Sequence, residues 1–318
     1  MNKIKITAVI LCVTVLIMMC GCNAVQSPSD SPSGKITIVT TIYPPTDFSQ
    51  KVGGEYVSVH QLLKPGAESH TYEPTPKDIL AIENCDLFIY VGGESDSWID
   101  DIISSIDSSN VRTVKMLDAV EALSEEHVEG MEEEEHEEHE EGEELDEHVW
   151  TSIRNAELIT EKICVELSEI DPQHKDYFRQ NTDDYIKKLA ELDKAYHETI
   201  DNSTRKEIIV ADRFPFRYMA HEYGLTYYAA FPGCSSDSEP SAKTLGFLIN
   251  KVSEDGIPVV FHIEFSNEKI ADSVVEVSGA KKLMLHSCHN LSQDELNNGE
   301  DYLSIMQNNL EGLKEALN

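Results

Sequence analysis

The feature that most restricts this chain's fold is an alternation of short β-branched runs with longer helical stretches, which appears once and then starts again. From Lys35 the extended runs are Ile36–Thr41, Tyr56–Leu63, Leu87–Val91 and Val111–Lys115; from Glu207 they are Ile208–Ala211, Thr226–Ala229, Val259–Ile263 and Lys282–Leu285. Strands separated by helices are joined by crossovers, so each set predicts a parallel sheet with helices on its faces. The expected fold class is α/β, with two similar lobes. Between the lobes Asp171-Pro172 opens a helix in which Tyr177, Phe178, Tyr185, Ile186, Leu189, Leu192 and Tyr196 recur near helical spacing as far as Asp201. A helix of roughly thirty residues spans about 45 Å at 1.5 Å per residue. Such a rigid spine predicts lobes that move little against each other.

The chain starts differently. Lys3 and Lys5 precede an apolar run from Ile6 to Met19 that is too short for a membrane span and reads as a secretory signal. Met19-Cys20-Gly21-Cys22 resembles a bacterial lipobox, which makes Cys22 the expected lipid-modified N-terminus, and the Ser/Pro/Asp-rich stretch after it reads as a tether. The expected organisation is a signal peptide at 1–21, a tether at 22–34, a first lobe at 35–170, the spine at 171–203 and a second lobe at 204–318. A low-complexity loop at 124–147 interrupts the first lobe.

That loop explains much of the formal charge of -34, because fifteen acidic residues lie between Glu125 and Glu147 with no Lys or Arg among them. An acidic chain repels nucleic acid and anionic lipid heads, so cations, or proteins that tolerate an acidic surface, are the expected partners. Dense like charge predicts a disordered surface loop. The interleaved His127, His136 and His139 point to weak, multivalent attraction of metal ions, since neutral imidazole is a transition-metal ligand.

Of the seven cysteines, Cys12 and Cys20 leave with the signal and Cys22 carries lipid, and the remaining four are too few for a disulfide scaffold. Cys85 and Cys164 read as core residues, whereas Cys234 and Cys288 fall in predicted loops of the second lobe and could pair in an oxidising compartment. GxSxG, HExxH, Walker A and strand-linked GxGxxG motifs are all missing, which leaves no catalytic reading with support.

Three histidine sites stand beside predicted strand exits or loops, where open parallel sheets collect ligands: His70, His148, and His286 with His289 three residues on. The blocks around them carry a resemblance. Pro65-Gly66-Ala67-Glu68-Ser69-His70-Thr71-Tyr72-Glu73-Pro74 and Asp146-Glu147-His148-Val149-Trp150 resemble two metal-ligand motifs of the zinc and manganese solute-binding lipoproteins of ABC transporters, the cluster A-I family. Tyr218-Met219-Ala220 with Tyr223-Gly224-Leu225, and Ser238-Glu239-Pro240-Ser241-Ala242-Lys243, are similar to it as well, so the resemblance covers nearly the whole mature chain.

The resemblance implies that His70 and His148 are metal ligands. The family's third ligand position, usually His, falls on Arg213 in an ungapped match, and arginine has no lone pair to give. A shift of one residue offers Asp212 instead. Where the family often places Asp after the last strand, this chain has His286. The expected set is therefore His70, His148 and His286, with Asp212, Glu68 or Glu264 as the fourth ligand, and Glu264 could equally orient an imidazole. Three imidazoles with at most one carboxylate suit Zn²⁺, whereas Mn²⁺ favours more oxygen donors. The resemblance implies a monomeric, lipid-anchored protein on the extracytoplasmic face of the membrane, delivering Zn²⁺ to an ABC permease. The alternatives are a manganese-binding homologue and a surface adhesin or metal-buffering lipoprotein.

Overall fold

The first sheet of the computed structural model holds β1 (Ile36–Thr40), β2 (Val57–Gln61), β3 (Leu87–Tyr90) and β4 (Arg112–Lys115) in the order β2-β1-β3-β4. The second repeats the arrangement with β5 (Glu207–Arg213), β6 (Thr226–Phe231), β7 (Val259–His262) and β8 (Lys281–Met284) in the order β6-β5-β7-β8. Every pairing is parallel. The inner strands are apolar through their length because helices cover both faces, and Leu87–Ile89 and Ile208–Ala211 have no exposed surface. All eight expected strands are present, with ends displaced by one or two residues.

The structure describes residues 34–68, 72–105, 111–132, 144–235 and 239–318. The signal peptide, Cys22, His70, His136 and His139 lie outside them. Among the described residues no helix is long and apolar enough to cross a membrane.

The first lobe carries helices α1 (Tyr43–Gly53), α2 (Pro76–Glu83), α3 (Trp98–Ser105) and α4 (Ile153–Ile170). Their starts are chemically marked: Thr75 and Asp78 form a capping box around Pro76 at the head of α2, and the Ser152 hydroxyl accepts the Asn155 N–H at the head of α4. The spine is α5 (Lys175–Asp201), 27 residues and about 40 Å long. It buries Phe178, Thr182, Tyr185, Leu189, Leu192, Tyr196 and Ile200, a run of three- and four-residue steps that keeps one stripe against the core. The second lobe adds α6 (Arg217–Tyr223), α7 (Ala242–Glu254), α8 (Lys269–Ser278), α9 (Gln293–Asn298) and α10 (Tyr302–Ala316).

One hydrophobic core passes through both lobes. It takes in Ile38, Phe48 and Leu87 from the first, Leu189 and Tyr196 from α5, and Val210, Phe214 and Phe261 from the second. Polar ties cross it where apolar packing leaves donors to satisfy: Tyr302 Oη donates to the Trp150 carbonyl at 2.6 Å, and Tyr196 Oη to the Met306 carbonyl at 2.7 Å.

The acidic stretch departs from the expected disordered loop at both ends. Ser124 and Leu145 form an antiparallel bridge, and the Glu125 N–H donates to the Glu144 carbonyl. Glu125 accepts the Cys234 N–H, Glu126 pairs with Tyr227 and Arg217, and Glu132 accepts the Ser241 N–H while its own N–H bonds the Ala230 carbonyl. Asp146 and Glu147 are buried. Carboxylates given specific donors fold despite the local charge, and residues 133–143 of the insert lie outside the described residues.

Candidate metal centre

The ends of β2, β5, β7 and β8 converge on a small cleft. Its lining includes His148, His289, Glu264, Glu68 and Arg213, with Ser287, Asn290 and Gly233 between them. In both sheets the chain order reverses beside the first strand, which is where such sheets leave a crevice at their carboxyl ends.

His148 is buried and held from its own loop. Asp146 Oδ1 accepts the His148 N–H at 2.8 Å and lies 3.2 Å from its Nδ1. A carboxylate on Nδ1 fixes the ring's tautomer and leaves Nε2 as the nitrogen with a lone pair to offer. The fit is close: a Cβ on Gly233 would lie 3.1 Å from Asp146 Oδ2 and 3.2 Å from His148 Cε1, so a larger residue there would push against the pair. Burial opposes the charged ring, but Asp146 and then Glu147 and Glu125 outweigh it and raise the His148 pKa above its ordinary value. Protons therefore compete for this nitrogen at a higher pH than usual. Metal affinity is expected to start falling above the ordinary histidine pKa of about 6.5 as the solution is acidified. A chelator-competition titration from about pH 8.5 to 5.5 measures this, and a flat profile would contradict histidine ligation.

His289, noted beside His286 in the sequence but left out of the expected ligand set, lines the cleft. Its ring lies 5.5 Å from that of His148 at 86° and 5.1 Å from that of Trp150. Trp150 is itself fixed by its indole N–H donating to the Ser287 carbonyl at 2.7 Å. Glu264 braces the same turn, accepting the Ser287 N–H at 2.8 Å on one oxygen and the Ser287 hydroxyl on the other.

His286 does not line the cleft. Its Nδ1 accepts the Cys288 N–H at 2.9 Å, and its Nε2 is 3.3 Å from Glu295 on α9, a helix placed by the Ser292–Glu295 capping box. Asn309 holds its backbone on both sides. The reason is local: Cys288 takes a φ of 62°, and this left-handed turn sends His286 toward α9 and His289 toward the cleft. The structure thus sets His286 beside Glu295 and His289 in the cleft lining, which favours His289 over His286 as a candidate ligand.

Asp212 is likewise turned aside. A register shift between Val210 and Arg213 re-aims the end of β5, and Asp212 accepts the Ser266 hydroxyl on one oxygen and the Arg213 N–H on the other. Arg213 reaches the cleft instead and pairs with Glu68 at 3.2 Å. Asn290, also missed, ties the two lobes together: its amide donates to the Lys64 and Ala67 carbonyls and its oxygen accepts from Gln61, fixing the loop that leads to His70. Phe265, at the cleft edge, adopts a φ of 56° that is rare for a bulky side chain.

The possible Cys234–Cys288 disulfide is not formed. Both thiols are free, as are Cys85 and Cys164. Cys288 is fully buried, with its N–H donated to His286 Nδ1, whereas Cys234 is partly exposed, with its N–H donated to Glu125. His127 is exposed on the folded flank of the acidic insert, away from the cleft lining. Among the described residues no three His, Cys, Asp or Glu side chains are grouped closely enough to hold a metal by themselves.

A model of the family "zinc-uptake complex component A, periplasmic" (ZnuA) matches residues 38–316. The chain belongs to the ZnuA family. It is 34% identical over 303 residues to the high-affinity zinc uptake system protein ZnuA of Bacillus subtilis, covering 95% of this chain and 94% of that one. It is also 34% identical over 316 residues to the zinc-binding lipoprotein AdcA of Streptococcus pneumoniae, of which it spans 61%. Solved structures agree in fold. The Zn(II)-bound ZnuA-like domain of S. pneumoniae AdcA superimposes with a TM-score of 0.74 at 32% identity, over 89% of this chain and 99% of that domain. The laminin-binding protein Lmb of Streptococcus agalactiae, described as bifunctional with adhesin and metal-transporting activity, gives 0.73 at 25% identity, over 89% of this chain and all of Lmb. The two α/β lobes expected from the strand pattern are thus present, in the arrangement of the ZnuA-type structures.

Proposed function

We propose that the chain captures Zn²⁺ outside the cytoplasm as cargo and delivers it to the permease of an ABC importer. The observation that carries this is the pairing of His148 and His289 across the cleft, His148 held by buried Asp146 and His289 lying against buried Trp150, beside the loop that leads to His70. Membership of the ZnuA family supports it. The proposed ligands are the imidazoles of His70, His148 and His289, with an oxygen from Glu264 or water as the fourth. Three imidazoles and one oxygen match the tetrahedral preference of zinc and offer manganese too few oxygens. Among the described residues of the cleft both carboxylates are already engaged, Glu264 by Ser287 and Glu68 by Arg213, and we read the chain as a carrier, not an enzyme.

In the same reading Cys22 carries a lipid that anchors a monomer to the outer face of the membrane, and the acidic surface disfavours nucleic acid. His127, His136 and His139 of the insert attract metal weakly and raise its local concentration. The test is zinc titration of a chain from which residues 133–143 have been excised. One tight site should survive with only weak binding lost; loss of the tight site would place the receptor in the insert. Removing the whole of 125–147 would be a poorer test, because Asp146 and Glu147 are structural.

A further inference from the structure

Arg213 is an unexpected residue to find in a cleft that takes a cation. It is the one Lys or Arg among the described residues lining it, and its side chain is only 17% exposed. It stands at the end of β5 in the second lobe, whereas its partner Glu68 belongs to the loop after β2 in the first, so their 3.2 Å contact spans the mouth of the cleft. Neither element is loose. The Arg213 backbone is held by Asp212, and the Glu68 loop is clamped through Ala67 by Asn290.

Two consequences follow from the chemistry. A guanidinium cannot coordinate a metal, and paired with a carboxylate it leaves the mouth locally neutral, so it does not repel the entering ion as a bare charge would. The Glu68 carboxylate, engaged in a charge-assisted hydrogen bond, is also withheld from coordination. With Glu68 free, the cleft would gain a hard oxygen donor and drift toward the donor set that manganese prefers.

We propose that the Arg213–Glu68 ion pair is a selectivity latch: it bridges the two lobes across the mouth of the cleft, keeps Glu68 out of the coordination shell, and slows metal escape. This rests on the zinc-capture reading above. The experiment compares the full mature chain with Arg213→Ala, Arg213→Lys and Glu68→Gln, measuring Zn²⁺ and Mn²⁺ affinities by competition and Zn²⁺ release into excess chelator by stopped flow. Arg213→Ala should release zinc about fivefold to tenfold faster, the scale of losing a half-buried ion pair, and should shift the affinity ratio toward manganese by about tenfold as Glu68 joins the shell. Glu68→Gln should speed release without the manganese gain, and Arg213→Lys should restore both properties. Release rates and affinity ratios within about twofold of the parent in Arg213→Ala and Glu68→Gln, with unchanged melting temperatures, would overturn the latch while leaving zinc capture intact. A parent chain that binds no zinc would overturn the capture reading and the latch with it.

Discussion

His289→Ala should weaken zinc binding by about two orders of magnitude, while His286→Ala should leave the affinity within about threefold and lower stability instead. Zinc held by protein sites is bound with about 10–16 kcal/mol, so one of four ligands accounts for about 3 kcal/mol, or roughly a hundredfold. His289 faces His148 in the cleft, whereas both ring nitrogens of His286 are engaged by the Cys288 N–H and Glu295. Removing the His286 ring orphans a buried N–H, at a cost of about 2 kcal/mol. Burial opposes its charge, but Glu264 and Glu295 raise its pKa overall, and the hydrogen bond from His286 lowers that of Glu295 to about 2. A raised histidine pKa stabilises fully below the ordinary value of about 6.5 and loses that effect as pH rises through the raised one; a lowered carboxyl stabilises above about 4.3 and loses it on descent toward 2. The Glu295 pairing should therefore contribute most between about pH 4.5 and 6.5, and the Cys288 N–H bond, which needs an unprotonated Nδ1, above that window, so His286→Ala should lower stability on both sides of pH 6.5. Zinc titration and thermal denaturation of both variants decide the matter, and equal affinity losses would return His286 to the ligand set.

Trp150→Ala should cost about 4 kcal/mol and lower Tm by roughly 10 °C, measured by calorimetry of the metal-free chain. Trp150 has no exposed surface, its indole N–H satisfies the Ser287 carbonyl, its own carbonyl receives the Tyr302 hydroxyl, and its ring lies against His148 and His289. The variant should also bind zinc more weakly, because the turn carrying His289 loses its brace. A shift under about 3 °C would mean that the cavity collapses without harm.

The sheets were legible because a strand buried on both faces has no choice but a short apolar run, and helices between such runs force parallel pairing. The spine was legible for a similar reason, since its buried stripe repeats at helical spacing through Phe178, Tyr185, Leu189 and Tyr196. The site was legible at His148, where Asp146 lies two residues away and the whole device is local. The directions of His286 and His289 were not legible, because they are set by a left-handed turn at Cys288, a conformation for which cysteine gives no local signal. Asp212 and Arg213 were exchanged by a register shift that depends on β6, not on β5 alone. The flanks of the acidic insert were taken for solvated chain because their partners, Cys234, Tyr227 and Ser241, lie about a hundred residues away.

The continuous core through both lobes bears on how such a carrier is emptied. A two-jawed receptor opens along a seam of weak contacts, and here that seam is filled by the large side chains around Trp150, Phe214 and Tyr302. Exposing even about 400 Å² of it would cost about 10 kcal/mol at 25 cal/mol per Å², as much as the whole stability of an ordinary domain. Unloading is therefore expected to work on the rim, with a docking partner drawing aside the turns that carry His289 and Glu68 while the two sheets stay locked in place.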